Sequence, residues 1–290
     1  MKYIDEFILE ACDWLVAAKR GNKVSVKEIT SLEPQLLQEY AKYLVKIKEY
    51  KVNLSPSGFN QHYNLMKDFY DSPSVALKAY IQKRRCEHQL AFCPYCGKPT
   101  APDTLDHFIP KKQWPEFAIF SNNLVPQCRS CAPIKGEKYY DLEEKCAYFL
   151  HPFYNEFLDN FRFKIKVEFD EITKQVTFNV TLLVVKQVSD EDKARVLKHV
   201  TALKVKKRIV EFCARELKKW ESLLLQKNFS FRRALTQRLS EHDKKNIGRD
   251  WKTAFYEGMI SNMSLLDYMD TLQPSLTKQP PTVILSEINI

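Results

Sequence analysis

Two C-x-x-C pairs, Cys93-Pro94-Tyr95-Cys96 and Cys128-Arg129-Ser130-Cys131, constrain this chain more than any other feature. Two residues between cysteines let both thiolates face one metal ion, and two such pairs complete a tetrahedral shell of four sulfurs. A closed shell leaves no position for substrate, so the expectation is a structural Zn²⁺ site. One pair alone would be ambiguous, because redox motifs share the spacing; two together point to metal. Cys12, Cys86, Cys146 and Cys213 have no paired spacing and read as buried or inert thiols. With 290 residues and eight cysteines so unevenly placed, a secreted disulfide framework is not expected, and a zinc site in a cytoplasmic protein is.

The residues between the pairs carry more than a clamp. Thr104 to Pro110 reads as a short strand bearing Asp106-His107, with a proline exit into Lys111-Lys112. Asn122-Asn123-Leu124-Val125-Pro126 reads as the returning strand, which delivers the chain to the second cysteine pair. After Cys131, Pro133 suits the first turn of a short helix that runs through Lys135 to Gly136. A zinc ion would then tie a hairpin to a helix and hold Asp106-His107 against that helix's start.

This arrangement resembles the HNH, or ββα-metal, endonuclease family. The resemblance rests on C-x-x-C, D-H-x-x-P, N-L-V-P, C-x-x-C and K-G, in that order, between Phe92 and Tyr139. It extends more loosely through Trp114-Pro115-Glu116-Phe117 and Phe149 to Tyr154, and that longer form is similar to the HNH subunits of bacterial anti-phage defence systems. The resemblance implies metal-dependent hydrolysis of DNA phosphodiester bonds. His107 would be the general base, since an imidazole titrates near working pH. Asp106 would ligate a catalytic Mg²⁺ or Mn²⁺, hard ions matched to carboxylate and phosphate oxygens. Asn123 would brace the hairpin so that His107 points inward. Lys111, Lys112 and Lys135 are candidates for DNA-backbone contacts, which position a duplex without reading its sequence. One departure stands out: where the family carries Asn or His as a second ligand to the catalytic cation, this chain has Ala132, which cannot coordinate. The expectation is a weakened or inactive variant, arising either by engineering or by natural divergence.

Around this centre the chain reads as mainly helical, giving an α+β fold. Residues 1–90 form a helical N-terminal region. Ile4, Phe7, Ile8, Ala11, Leu15 and Ala18 make one helical stripe closed by Gly21-Asn22. A second helix covers Pro34 to Tyr50, with Leu36, Leu37, Tyr40, Leu44 and Ile47 inward. A third follows Pro73 and ends near Arg85. Residues 91–155 are the zinc-stapled module. Residues 156–278 begin with a β-hairpin, Phe161–Glu168 and Gln175–Val185 around Asp170-Glu171. One long helix from Asp190 to Gln226 and a last helical stretch from Asp243 to Leu272 complete that region. Residues 279–290 read as an extended tail carrying the apolar Val283-Ile284-Leu285.

A net charge of +9 favours polyanionic partners through counterion release, and the basic residues of the long helix (Lys204, Lys206, Lys207 and Arg208, with Lys218-Lys219 further on) either line a DNA channel or form a solvated face. Acidic residues interrupt the apolar pattern of Met1–Arg20, so neither a signal peptide nor a membrane span is expected there. His88 reads as an ordinary polar residue and His151 as a structural cap. The helical flanks exceed what strand cleavage needs, and the resemblance implies a controlling protein partner, an ATPase being one candidate. Two rivals remain open at this stage: a non-catalytic, zinc-stabilised nucleic-acid-binding module, and an assembly subunit in which the zinc is purely structural.

Overall fold

The computed structural model describes residues 1–273; the expected tail from residue 279 lies outside them. The chain is mixed helix and sheet, and its three strand pairs are all antiparallel two-stranded hairpins. The helices are α1 (Asp13–Lys19), α2 (Val26–Lys48), α3 (Tyr63–Asp71), α4 (Val75–Cys86), α5 (Ala132–Lys135), α6 (Asp190–Ala202), α7 (Val205–Leu224), α8 (Phe231–Ser240), α9 (Trp251–Ile260) and α10 (Met263–Thr271). The strands are β1 (Thr104–His107), β2 (Leu124–Gln127), β3 (Tyr140–Asp141), β4 (Cys146–Ala147), β5 (Phe161–Phe169) and β6 (Val176–Val184). One hydrophobic core runs through them, from Met1 and Ile4 through Tyr43, Phe117 and Phe153 to Trp251 and Met269. No helix among the described residues is long and apolar enough to cross a membrane.

The first expected helix is broken. Only a 3₁₀ turn at Asp5–Phe7 and the short α1 form, although Ile4, Leu15 and Ala18 are buried as the stripe requires. Tertiary partners take the backbone groups in between. Asn122 accepts from the Leu9 N–H and donates to the Leu9 carbonyl, each at 2.9 Å, and the Arg84 guanidinium donates to the Phe7 carbonyl at 2.6 Å. Those bonds replace the i→i−4 ladder that a helix would have needed. Helix α2 begins eight residues before Pro34, counting from Val26, and carries the proline inside it. Proline removes one backbone donor there without stopping the helix. The inner face is Ile29, Leu36, Tyr40, Tyr43 and Ile47; Leu37 and Leu44 are exposed. Helix α4 follows Pro73 as expected, capped by the Ser74 hydroxyl, which accepts from the Leu77 N–H at 3.2 Å.

The long C-terminal helix is two. Helix α6 starts at Ser189, whose hydroxyl caps Asp192, and three acidic residues occupy its first turn, as the helix dipole favours. It ends before Lys204, whose left-handed φ of +53° breaks the run. A lysine in that conformation costs about 1–2 kcal/mol. The break lets α6 keep His199 on one side of the first cysteine pair while α7 brings Arg208 to the sulfurs. The last helical stretch also divides, into a 3₁₀ turn at Lys244–Asn246, α9 and α10. Helices α3 and α8 fall between the individual helices expected from the sequence. The β5–β6 hairpin forms at the expected place, in register from Phe161↔Val184 to Phe169↔Val176. Helix α9 packs on β5 at very close range: a Cβ on Gly258 would lie 2.3 Å from the Ile165 carbonyl oxygen, so only glycine fits.

Candidate functional site

The four cysteines converge. Cys93, Cys96, Cys128 and Cys131 are all buried, and their sulfurs lie within 4.8 Å of one another, with Cys96 and Cys128 at 3.8 Å. A tetrahedron with Zn–S bonds of about 2.3 Å has edges of about 3.8 Å, so the donors fit a zinc ion in both chemistry and spacing. In the first pair, the Gly97 N–H donates to the Cys93 carbonyl at 2.8 Å and the Cys93 N–H to the Lys98 carbonyl at 3.0 Å. Gly97 sits at φ +75°, and a Cβ there would come within 2.5 Å of the Phe163 ring, so both backbone and packing demand glycine. Among the described residues this is the one group of three or more His, Cys, Asp or Glu side chains arranged to hold a metal.

Elements remote in sequence enclose the cluster. The Arg208 guanidinium, from α7, approaches three of the sulfurs: Nη1 to Cys131 at 3.4 Å, and Nη2 to Cys96 at 3.6 Å and Cys128 at 3.8 Å. It also lies over the Trp251 ring at 5.3 Å. A zinc ion with four thiolates carries two net negative charges, and a guanidinium beside them offsets part of that charge. Trp251 Nε1 donates to the Cys96 carbonyl at 2.6 Å, and His199 Nε2 bonds the Tyr95 carbonyl at 2.7 Å. Sequence reasoning put Arg208 on a DNA channel or a solvated face, which its place at the sulfurs corrects, and missed Trp251 and His199. No local spacing links them to the cysteines.

β1 and β2 pair as expected, Asp106 opposite Val125 and His107 opposite Leu124. Asn123 lies just before β2, in a 3₁₀ turn, and is fully buried. Its amide makes four bonds. Oδ1 accepts from the Ile109 N–H (2.7 Å) and the Tyr43 hydroxyl (2.8 Å); Nδ2 donates to the carbonyls of Ile109 (2.9 Å) and Phe117 (3.1 Å). The loop that leaves β1 is thereby fixed to the segment that enters β2. His151, also buried, joins this network through Tyr43 (3.1 Å) and the Asn122 carbonyl (3.0 Å), in a structural setting. His88 likewise bonds only backbone, at Pro102 and Leu90.

His107 is partly buried, and its Nε2 lies 2.9 Å from the Ala118 carbonyl. A carbonyl can only accept, so Nε2 carries the proton and Nδ1 is left as the lone-pair nitrogen. The Tyr70 ring meets the imidazole edge-on at 4.4 Å between centroids. Burial, reinforced by the nearby Lys111 charge, lowers the His107 pKa to about 3. The imidazole is therefore neutral at physiological pH.

Asp106 has both oxygens engaged. Oδ2 accepts from the Tyr95 hydroxyl at 2.7 Å, and Oδ1 lies 3.1 Å from the Lys135 ammonium. Burial raises the Asp106 pKa, against the opposing pull of Lys135 and Tyr95. Lys135 corrects an expectation: it faces no solvent, so it cannot meet a DNA backbone in this arrangement. Its ammonium donates to the carbonyls of His107 and Phe108, each at 3.2 Å, and sits over the rings of Phe108 and Phe149. A buried cation requires such a cage. A divalent cation does not fit at Asp106 as this site stands, because Lys135 and Tyr95 occupy the carboxylate and Ala132 offers only a methyl group. Of the other expected phosphate contacts, Lys111 is paired with Asp71 at 3.0 Å and lies over the Tyr70 ring at 4.1 Å. Lys112 is exposed and pairs with Glu137 at 3.5 Å.

Fold and site together define a mixed helix–sheet protein with a buried four-cysteine cluster of the kind that holds structural zinc. A stretch of 46 residues is 46% identical to protein ea31 of Escherichia phage lambda, covering 16% of this chain and 15% of that protein. No family model matches the chain, and no solved structure matches it.

Proposed function

We propose that the chain is an HNH-type endonuclease module acting on DNA, with a weakened hydrolytic centre. The observation that carries this reading is the state of His107. It stands at the end of β1, and Nε2 is tied to the Ala118 carbonyl, so Nδ1 is free to accept a proton from water. Asn123 holds the loop that leaves this strand, and the four-cysteine cluster anchors the hairpin's other end. Together with the D-H-x-x-P and N-L-V-P motifs, that is the equipment for attack of water on a phosphodiester. A base with a pKa near 3 is weak, and an arriving phosphate anion would raise it by offsetting the Lys111 charge.

The weakness lies at the cation position. No step is assigned to a divalent ion here, since Lys135 holds Asp106 and position 132 supplies no ligand. A Mg²⁺ or Mn²⁺ ion at such a centre stabilises charge on the phosphorus oxygens and the leaving oxygen. The second reading, a non-catalytic zinc-stabilised DNA-binding or assembly subunit, is favoured by that same Lys135–Asp106 pair. The looser resemblance to defence-system HNH subunits extends this proposal to a role in anti-phage defence under a protein partner, an ATPase being the candidate.

Plasmid nicking in Mg²⁺ or Mn²⁺ separates the two readings. The expected result is slow nicking by the chain as it stands, none by His107→Ala, and a gain on the order of 10² for Ala132→Asn provided its amide draws a cation to Asp106 in place of Lys135. DNA binding with no nicking by either the parent or Ala132→Asn would establish the non-catalytic reading instead.

A further inference from the structure

β6 is an edge strand without the usual protection. Sheet edges present unpaired N–H and C=O groups, and proteins normally blunt them with charged residues, proline or a cover. Between Val176 and Val184 β6 has no charged residue and no proline, whereas its partner β5 alternates Arg162, Lys164, Lys166 and Glu168 with its core residues. The register shows which groups are free. The Phe163 N–H donates away from the hairpin, to the Gly248 carbonyl at 2.7 Å, so Phe163 and its partner Leu182 form a non-hydrogen-bonded pair. By the same alternation, Phe178, Val180, Leu182 and Val184 direct their N–H and C=O groups outward from β6. Among the described residues nothing hydrogen-bonds to any of them. The opposite edge is different. On β5, Asn262 donates to the Val167 carbonyl at 3.0 Å, and α9 closes over Ile165.

Beside the free edge runs a groove of about 1030 Å³, between β6 and the α6–α7 junction. Its surface is mainly apolar, with Val180, Leu182, Leu197, Val200 and Ile209 among its lining residues. Leu197 is 57% exposed and Val184 41%. Lys204, Lys206 and Lys207 stand on the rim, all exposed, against one acid, Glu211. None of the three lysines forms an ion pair among the described residues, whereas Lys42 and Lys166 do.

The geometry points to a docking surface for an extended polypeptide segment of a partner protein, added as a strand to the β6 edge. Backbone pairing would satisfy the outward groups of Phe178 to Val184. Alternate side chains of the added strand would fall into the groove, which calls for apolar residues at every second position. The lysine rim calls for Asp or Glu flanking that apolar core. The left-handed turn at Lys204 is what sets this rim, since it directs the start of α7 across the mouth of the groove.

The test uses the full chain and pooled fluorescent octapeptides with Val, Ile or Leu at alternate positions, Thr between, and either Glu or Lys at both ends, followed by anisotropy. The acid-flanked pool is expected to bind at least tenfold more tightly than the lysine-flanked pool. N-methylation of alternate backbone nitrogens should remove binding, and the Lys206→Glu/Lys207→Glu chain should lose the preference for acid. Absence of binding, or binding that ignores both N-methylation and charge, overturns the proposal. A chain ending at Gln273 that binds the acidic pool at least tenfold better than the full chain would also overturn it, assigning the groove to residues 274–290 of the chain itself. Val184→Lys, at an exposed edge position, checks the site without touching the core; if it leaves binding intact, the edge is not the site.

Discussion

Single residues at the four-cysteine cluster do work that their position in the sequence does not announce. Arg208 is the clearest. Its guanidinium is shared among three sulfurs, and partners of this kind commonly tune metal affinity 10–100-fold. Arg208→Met should therefore release zinc to a colorimetric chelator at least tenfold more readily, with the helical circular dichroism unchanged before chelation. Equal release from both proteins would reduce Arg208 to a packing residue. His199 offers a test of another sort. Burial lowers its pKa from 6.5 to about 4, with the Tyr95 carbonyl pulling the other way. Between those values the unfolded chain binds a proton that the folded chain refuses, so stability is complete above about pH 6.5 and falls as the pH drops toward 4. The slope for this one group is about 1.4 kcal/mol per pH unit. His199→Gln keeps a donor and an acceptor but cannot titrate, so its urea stability should fall less steeply than the parent's between pH 6 and pH 5. Parallel curves would refute that assignment.

At the scale of elements, the fold depends on close approaches and on breaks. Gly258 lets α9 lie directly on β5. Gly258→Ala would push a methyl group into the Ile165 carbonyl, and the expected cost is about 1–3 kcal/mol in denaturant unfolding. An unchanged midpoint would mean that α9 can slide away without penalty. The breaks at residues 8–12 and at Lys204 show where periodicity misleads. Both stretches carry an apolar spacing suited to helix, and in both the backbone turns because buried side chains elsewhere capture it or need to be reached. The β-hairpin at 161–184 and helix α4 were legible, since alternation in one case and Pro73-Ser74 in the other are local signals. Helix α3 was not, and with it went Tyr70, the ring that meets His107.

For the molecule as a whole, the cysteine cluster is a junction between regions far apart in the chain. The first pair is bonded by Lys2 at Pro94 (3.1 Å), His199 at Tyr95, and Trp251 at Cys96 and Gly97. Residues from the N-terminus, α6, α7 and α9 thus meet at one knuckle. If the cluster holds zinc, stripping it with a strong chelator should loosen more than the central hairpins. Hydrogen exchange is expected to rise together in β1–β2, in α7 and in α9. Exchange that rises only between residues 93 and 139 would show that the C-terminal helices stand independently of the metal.

The sequence by itself determined the cluster of four sulfurs, the β1–β2 hairpin with Asp106 and His107 on it, and the hairpin that follows. Each is encoded by short spacing, and short spacing fixes local geometry. Only the tertiary structure decided what those groups touch. It placed Lys135 in the interior on Asp106 rather than on a nucleic acid, tied His107 through Nε2, brought Arg208 to the cysteine sulfurs, and left β6 with an edge open among the described residues. Those outcomes depend on which buried charges find partners across long stretches of chain, and a linear pattern does not record that pairing.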